Sequence, residues 1–149
     1  MADPDPSGRA ESFSVALEAS AAGLTAAQPL LRRFLDGAGV APRVADRAEV
    51  IIEEVVMNIA MHAFDAVAPR TVALRAAPHG AGGCELVFED AGRHFDPTAQ
   101  APPEATHGLA EAPAGGFGLV LLHRLSSEVA YERLPVGLNR LRVVLASPS

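Results

Sequence analysis

The chain contains no lysine: all 12 of its Lys and Arg positions are arginine. A Walker A phosphate-binding loop requires a lysine, so that class of nucleotide-binding protein is excluded. Cys84 is the only cysteine, which excludes a disulfide within the chain and any CxxC metal or redox site. These absences suit a reducing compartment, and we expect a cytoplasmic protein.

Positive charge and long apolar runs are also scarce. The formal net charge is −6, which argues against a nucleic-acid-binding surface. No segment reaches the ~18 apolar residues that a membrane-spanning helix needs, and the acidic, proline-containing start is not a signal peptide. Hydrophobic residues make up 49% of the chain. We therefore expect one globular domain over residues 11–149, preceded by a disordered tail over residues 1–10, with neither nucleic acid nor membrane as a direct partner.

The order of periodic segments predicts the fold class. An alternating strand begins at Ser12, and Thr25 is expected to cap the first of two helices that follow. Two strands, a long loop, a third helix and two more strands complete the order. The loop, Thr98 to Ala114, has no clear period and is predicted to be a functional lid. Because strands joined by tight turns pair antiparallel, we predict an α/β (α+β) two-layer sandwich with a mostly antiparallel mixed sheet and helices on one face.

The second helix carries polar residues in an otherwise apolar run, IIEEVVMNIAMHAF, from Ile51 to Phe64. Glu54, Asn58 and His62 are spaced by four residues, so they project from one side of that helix. A carboxylate and a carboxamide on a helix built for burial are costly to desolvate without partners. The pair therefore indicates either a structural hydrogen bond, a metal or a ligand.

Two further segments suit the binding of a magnesium nucleotide. Asp90 ends a predicted strand and offers an acceptor for an adenine amino group, while Gly92 allows close approach of the backbone. The free N–H groups of a helix that begins near Gly116 suit phosphates. Asn58 offers the hard oxygen that Mg²⁺ prefers, and Glu54 lies one turn away as an acceptor for a proton.

Together these motifs resemble the N box and the two glycine boxes of the Bergerat-fold ATPases, shared by gyrase, MutL and histidine kinases. The narrower resemblance is to the anti-sigma-factor serine kinases of bacteria, through EEVVMNIAMHAF, DAGRHFDP and GGFGLVLLHRLSSEVAYE. The resemblance implies a Bergerat ATP-binding fold with ATP or ADP and Mg²⁺ as cofactors. It implies that Glu54 is the general base, Asn58 the Mg²⁺ ligand and Asp90 the adenine acceptor. The other nucleotide contacts that it implies are Gly92, Gly115, Gly116, Gly118 and Leu119.

The same resemblance implies a function. Such a protein is an ATP-dependent serine/threonine kinase that sequesters a sigma factor and phosphorylates an anti-sigma-factor antagonist of the STAS type. The resemblance is also compatible with a homodimer. The chain has His94 where the broader superfamily often has a second glycine, which is a feature of the subfamily. The lid has few charged residues, so arginine must help to neutralise phosphate, with Arg93 and Arg124 as candidates.

Three other interpretations stay open at this point. Glu54 and Asn58 could form a satisfied structural pair that binds nothing. The domain could be a nucleotide-gated binding module that transfers no phosphate. It could also be a degenerate member of the fold that binds no nucleotide.

Overall fold

Five strands and three α-helices make up the part of the chain that the computed structural model describes, residues 12–62, 70–99 and 116–148. The predicted tail and most of the predicted lid lie outside these residues. The elements in chain order are β1 (Phe13–Glu18), α1 (Ala21–Gly37), α2 (Pro42–His62), β2 (Thr71–His79), β3 (Gly83–Asp90), a single 3-10 turn (Pro97–Ala99), α3 (Gly116–Leu125), β4 (Glu128–Leu134) and β5 (Leu138–Leu145).

The described strands form one sheet in the order β1-β2-β3-β5-β4, and every neighbouring pair is antiparallel. The predicted antiparallel sheet is therefore confirmed. The β2–β3 turn is tight, because β2 continues to His79 and β3 begins at Gly83. The β3–β5 register places Asp90 directly opposite Asn139 at one end of the sheet.

Helix α1 begins earlier than the sequence suggested, and the expectation that Thr25 caps it was wrong. Ser20 is the N-cap, and its hydroxyl oxygen accepts a hydrogen bond from the Gly23 N–H at 3.0 Å. Thr25 lies inside the helix, where its hydroxyl donates to the Ala21 carbonyl at 2.9 Å. The early start brings the first turn against the end of β1, since a Cβ on Gly23 would lie 1.9 Å from the Glu18 carbonyl oxygen.

The core lies between the helices and one face of the sheet. Helix α2 starts at Pro42, and its apolar side is almost fully buried. It packs against α1, α3 and the sheet through residues such as Ile51, Ile52 and Val56, all 0% exposed. The other face of the sheet carries ion pairs, for example Arg142 with Glu85 at 2.7 Å. The two-layer sandwich follows from this one-sided burial.

Cys84 lies in β3 and is 0% exposed. Burial raises the pKa of its thiol to about 11, so the thiolate does not form near neutral pH. This environment is that of a small core residue and not of a nucleophile.

No helix in the three described segments is long and apolar enough to cross a membrane.

Candidate functional site

A cavity opens between α2 and the end of the sheet where β3, β4 and β5 meet. The enclosed cavity has a volume of only about 20 Å³, within about 450 Å³ of empty space that is partly open to solvent. The cavity is therefore narrow, and a base the size of adenine needs some lining side chains to move. The lining residues are Glu54, Val55, Asn58, Ile59, Phe88, Asp90, Phe95, Pro97, Leu122, Tyr131, Asn139 and Leu141.

Asp90 and Asn139 form what we call the sheet wall of this cavity. Asp90 is only 5% exposed, and its Oδ1 accepts hydrogen bonds from the Gly92 N–H at 2.9 Å and from Asn139 Nδ2 at 3.0 Å. Burial raises the pKa of the Asp90 carboxyl, while these two donors and the nearby Arg133 act in the opposite direction. No donor among the described residues reaches Oδ2, so one carboxylate oxygen is left for a ligand.

Asn139 is the residue that the sequence analysis missed. It is 4% exposed, and its side-chain oxygen accepts from the Tyr131 hydroxyl at 2.5 Å and from Arg133 at 3.1 Å. Its amide also donates to the Arg93 carbonyl at 2.8 Å. The signal was present in the alternation of β5, where Asn139 falls on the core-facing side with Leu141. A buried polar residue in an apolar stripe is the same signal that singled out Asn58.

Glu54 and Asn58 form what we call the α2 wall, on the opposite side. Asn58 is 7% exposed, and no hydrogen bond joins its side chain to any residue that the structure describes. Glu54 is half-buried one turn away, also without a described partner. Desolvation, and then the charge of Glu53, raises the pKa of the Glu54 carboxyl. The structural hydrogen bond between Glu54 and Asn58 that we left open does not form.

The residues present fit a magnesium ion that is held mainly by a nucleotide. No cluster of three or more His, Cys, Asp or Glu side chains suited to a metal occurs in the described segments. A site built wholly from protein carboxylates is therefore not formed there. Mg²⁺ commonly takes only one or two protein ligands when phosphates and waters supply the others. The buried side chain of Asn58, without a described partner, is of the type that such a site uses.

The segment after Asp90 is tied to the end of α2. Arg93 Nε donates to the His62 carbonyl at 2.7 Å, and the His62 ring stacks on Phe95 with centroids 4.9 Å apart. These contacts assign His62 and Arg93 to holding the segment in place. Arg124, the other candidate for neutralising phosphate, is exposed near the end of α3.

The glycines predicted to contact phosphates lie at the start of α3. Gly116 begins the helix, and Gly118 and Leu119 follow in its first turn. The N–H groups of a first helical turn have no partners within the helix, so they suit an anion. Gly115, and the lid predicted from Thr98 to Ala114 beyond its first two residues, lie outside the described residues.

The domain as a whole matches a known family. The sequence profile of the histidine kinase-like ATPase domain matches residues 17–145, most of the chain. The chain belongs to this family. This histidine kinase-like ATPase domain thus has the Bergerat-type fold that the motifs predicted, and membership implies that it binds a nucleotide. No curated protein sequence matches it at a significant level.

Solved structures share the fold of this ATPase domain at low identity. The RsbU and RsbW domains of Rv1364c from Mycobacterium tuberculosis match with a TM-score of 0.63 and 18% identity, over 93% of this chain and 34% of that one. The SiaB–SiaC complex from Pseudomonas aeruginosa matches with a TM-score of 0.62 and 18% identity, over 89% and 88%. The chain spans about a third of the Mycobacterium chain that it matches, 34%.

Proposed function

We propose that the chain is an ATP-dependent protein serine/threonine kinase that acts as an anti-sigma regulatory factor. It phosphorylates a serine on an antagonist protein and sequesters a sigma factor. One observation carries the proposal: Asn58 is 7% exposed without a described partner, beside Glu54 and on the same cavity as Asp90. A carboxamide on a cavity lining that no described residue holds is free to bind a ligand.

The two walls bind different parts of the ligand, the sheet wall the base and the α2 wall the magnesium ion. Asp90 Oδ2 accepts a hydrogen bond from the amino group of adenine, and the backbone N–H groups of Gly116, Gly118 and Leu119, with Gly115, hold phosphates. Gly92 lets the backbone lie close to the base. The side-chain oxygen of Asn58 is a ligand for Mg²⁺, which when bound supplies neutralising charge to the phosphate oxygens.

Glu54 has the role of general base. Its carboxylate accepts the proton of the serine hydroxyl as that oxygen attacks the terminal phosphate of ATP, and ADP leaves. Burial raises the pKa of the Glu54 carboxyl, and a carboxylate with a raised pKa is a stronger base. Desolvation by α2 therefore favours the step that the proposal gives to Glu54.

The proposed partners are proteins. The resemblance of the three motifs supports a sigma factor and a STAS-type antagonist as the two partners, with the reaction taking place in the cytoplasm. One of the similar solved structures is itself a complex of two proteins, SiaB and SiaC. A homodimer remains an open assembly state.

Three measurements test the proposal in sequence. Mg-ADP at about 100 times its dissociation constant adds about 2.7 kcal/mol, which raises the melting temperature by roughly 5–11 °C. Proteins retained in pull-downs with Mg-ATP and with Mg-ADP then give the candidate partners. Incubation of a retained antagonist with Mg-ATP adds one phosphate to its intact mass. An unchanged melting temperature across saturating Mg-ADP contradicts nucleotide binding itself.

A nucleotide-gated binding module is the second candidate. It is favoured by the absence of any described hydrogen bond that would hold the Glu54 carboxylate in one orientation. In such a module ATP and ADP change the affinity for a partner, and no phosphate is transferred. Nucleotide-dependent retention of a partner whose mass never changes supports this candidate over the kinase.

A further inference from the structure

We propose that Asn139 is a positioning residue that reserves one oxygen of the Asp90 carboxylate for the amino group of an adenine base. The inference rests on the proposed nucleotide-binding function and adds to it the residue that sets base preference. Tyr131 and Arg133, on the edge strand β4, hold Asn139 in the orientation that this role requires.

The first step concerns the two oxygens of Asp90. Asn139 Nδ2 and the Gly92 N–H both donate to Oδ1, at 3.0 and 2.9 Å. The carboxylate is thus held by one oxygen, and no donor in the described segments reaches the other. Because Asp90 lines the cavity, Oδ2 is the acceptor that a ligand meets.

The second step concerns the direction of the Asn139 amide. Its oxygen receives hydrogen bonds from the Tyr131 hydroxyl at 2.5 Å and from Arg133 at 3.1 Å. Its nitrogen faces acceptors only, Asp90 Oδ1 and the Arg93 carbonyl at 2.8 Å. In a reversed amide, the Asn139 oxygen would face the Asp90 carboxylate, and its nitrogen would face the donors of Tyr131 and Arg133. The orientation is therefore determined from both ends.

The third step links this geometry to base preference. A fixed carboxylate oxygen accepts a hydrogen bond from the adenine amino group, whereas hypoxanthine presents a carbonyl oxygen at the same position. Two acceptors then face one another and neither finds a donor there, which disfavours hypoxanthine. Without Asn139 the Asp90 carboxylate can rotate away from the base, and the preference for adenine over hypoxanthine becomes smaller.

Calorimetry with Mg-ADP and Mg-IDP tests this on the full chain. We expect the wild type to prefer ADP by about tenfold or more, the effect of one charge-assisted hydrogen bond. Asn139→Ala brings the two dissociation constants to within about threefold, and Tyr131→Phe, which removes one hydroxyl, gives an intermediate ratio. Val143→Ala is the matched control, because Val143 lies on the same strand, is 0% exposed and does not line the cavity. It loses stability and keeps the wild-type ratio.

The isosteric change Asn139→Asp gives a second readout. It sets a second carboxylate against Asp90 Oδ1, and such a pair keeps one proton to higher pH than a lone carboxyl does, because two adjacent charges repel. That proton replaces the lost donor, so ADP binds at pH values where the pair keeps it. The affinity for ADP then falls as the pH rises and the pair loses its proton. We expect no such fall for the wild type. The titratable and charged groups that face the pair are the same in both proteins: Tyr131 and Arg133 on β4, His94 and Asp96 after β3, and Glu54 on α2.

The outcomes separate the positioning role from the proposed function. If the wild type binds neither ADP nor IDP, both proposals are overturned. If it binds both equally, or if Asn139→Ala keeps the wild-type preference, the positioning role is overturned and nucleotide binding stands. Equal loss of preference in Asn139→Ala and Val143→Ala assigns Asn139 a merely structural role, which also overturns the proposal.

Discussion

The two walls of the cavity differ in how their polar side chains are held. On the sheet wall, Asp90 and Asn139 bond to each other and to β4 and the segment after β3. On the α2 wall, Asn58 and Glu54 have no partner among the described residues, although Asn58 is only 7% exposed. A preorganised wall suits recognition of a rigid base, and an incomplete wall suits a metal ion and phosphates that arrive with the ligand.

The largest effect that would test this division is on phosphate transfer. Glu54→Gln keeps the size of the side chain and removes the base, so we expect transfer to fall by about 10²–10⁴-fold. ADP affinity stays close to that of the wild type. The rate is read as phosphate added to the antagonist by intact mass, and ADP binding by calorimetry. Transfer at the wild-type rate would show that Glu54 is not the base.

The next largest effect is on the stability of the ligand-free protein, which should differ between variants of the two walls. Asn139→Ala removes hydrogen bonds and leaves Asp90 short of a donor, so we expect the free energy of unfolding to fall by about 1–3 kcal/mol. Asn58→Ala removes a side chain that no described residue satisfies, and we expect a change within about 0.5 kcal/mol. Denaturant unfolding without nucleotide measures both. Equal losses would mean that the α2 wall is as preorganised as the sheet wall.

Magnesium dependence tests the α2 wall alone. We expect Asn58→Ala to weaken Mg-ADP binding by about tenfold, since it removes one oxygen ligand. Binding of ADP in excess chelator should be unchanged. Glu53→Gln is the control variant, because Glu53 is exposed and lies on the same helix. A matching loss in chelator would place Asn58 against the nucleotide and not the metal.

The smallest effect concerns pH. The pKa of Glu54 is raised by desolvation and then by Glu53. A base works only when ionised, so transfer falls as pH drops to the raised pKa. Glu53→Gln removes the charge repulsion, the smaller of the two causes, and should shift this acidic limb to lower pH. A limb that moves to higher pH, measured as initial rates across acidic buffers, would contradict the assignment.

Local signals in the sequence predicted much of the fold. The order of strands and helices is the one expected, because alternation and turns such as Pro135-Val136-Gly137 are read within a few residues. Thr25 failed as a cap because Ser20 offers the same side-chain chemistry closer to the end of β1. Which of two capping residues is used depends on where the preceding strand ends, and local pattern does not determine that.

The candidate site was predicted unevenly for a similar reason. Glu54 and Asn58 share one helix, so their spacing alone placed them on one side. Asn139 bonds to Asp90 only through the β3–β5 register, which joins residues 49 positions apart. Without the strand order, an asparagine in β5 had no visible partner. Roles for the glycines near Gly116 stay predictions.

Tyr131 is the sole tyrosine of a chain that has no tryptophan, and it lines the cavity with its hydroxyl on Asn139. Ultraviolet emission from the intact protein therefore originates almost wholly from one ring beside Asp90. Tyr131 is therefore an intrinsic fluorophore at this site. Its intensity can be followed on a stopped-flow timescale as a ligand enters, with no dye attached and no residue exchanged.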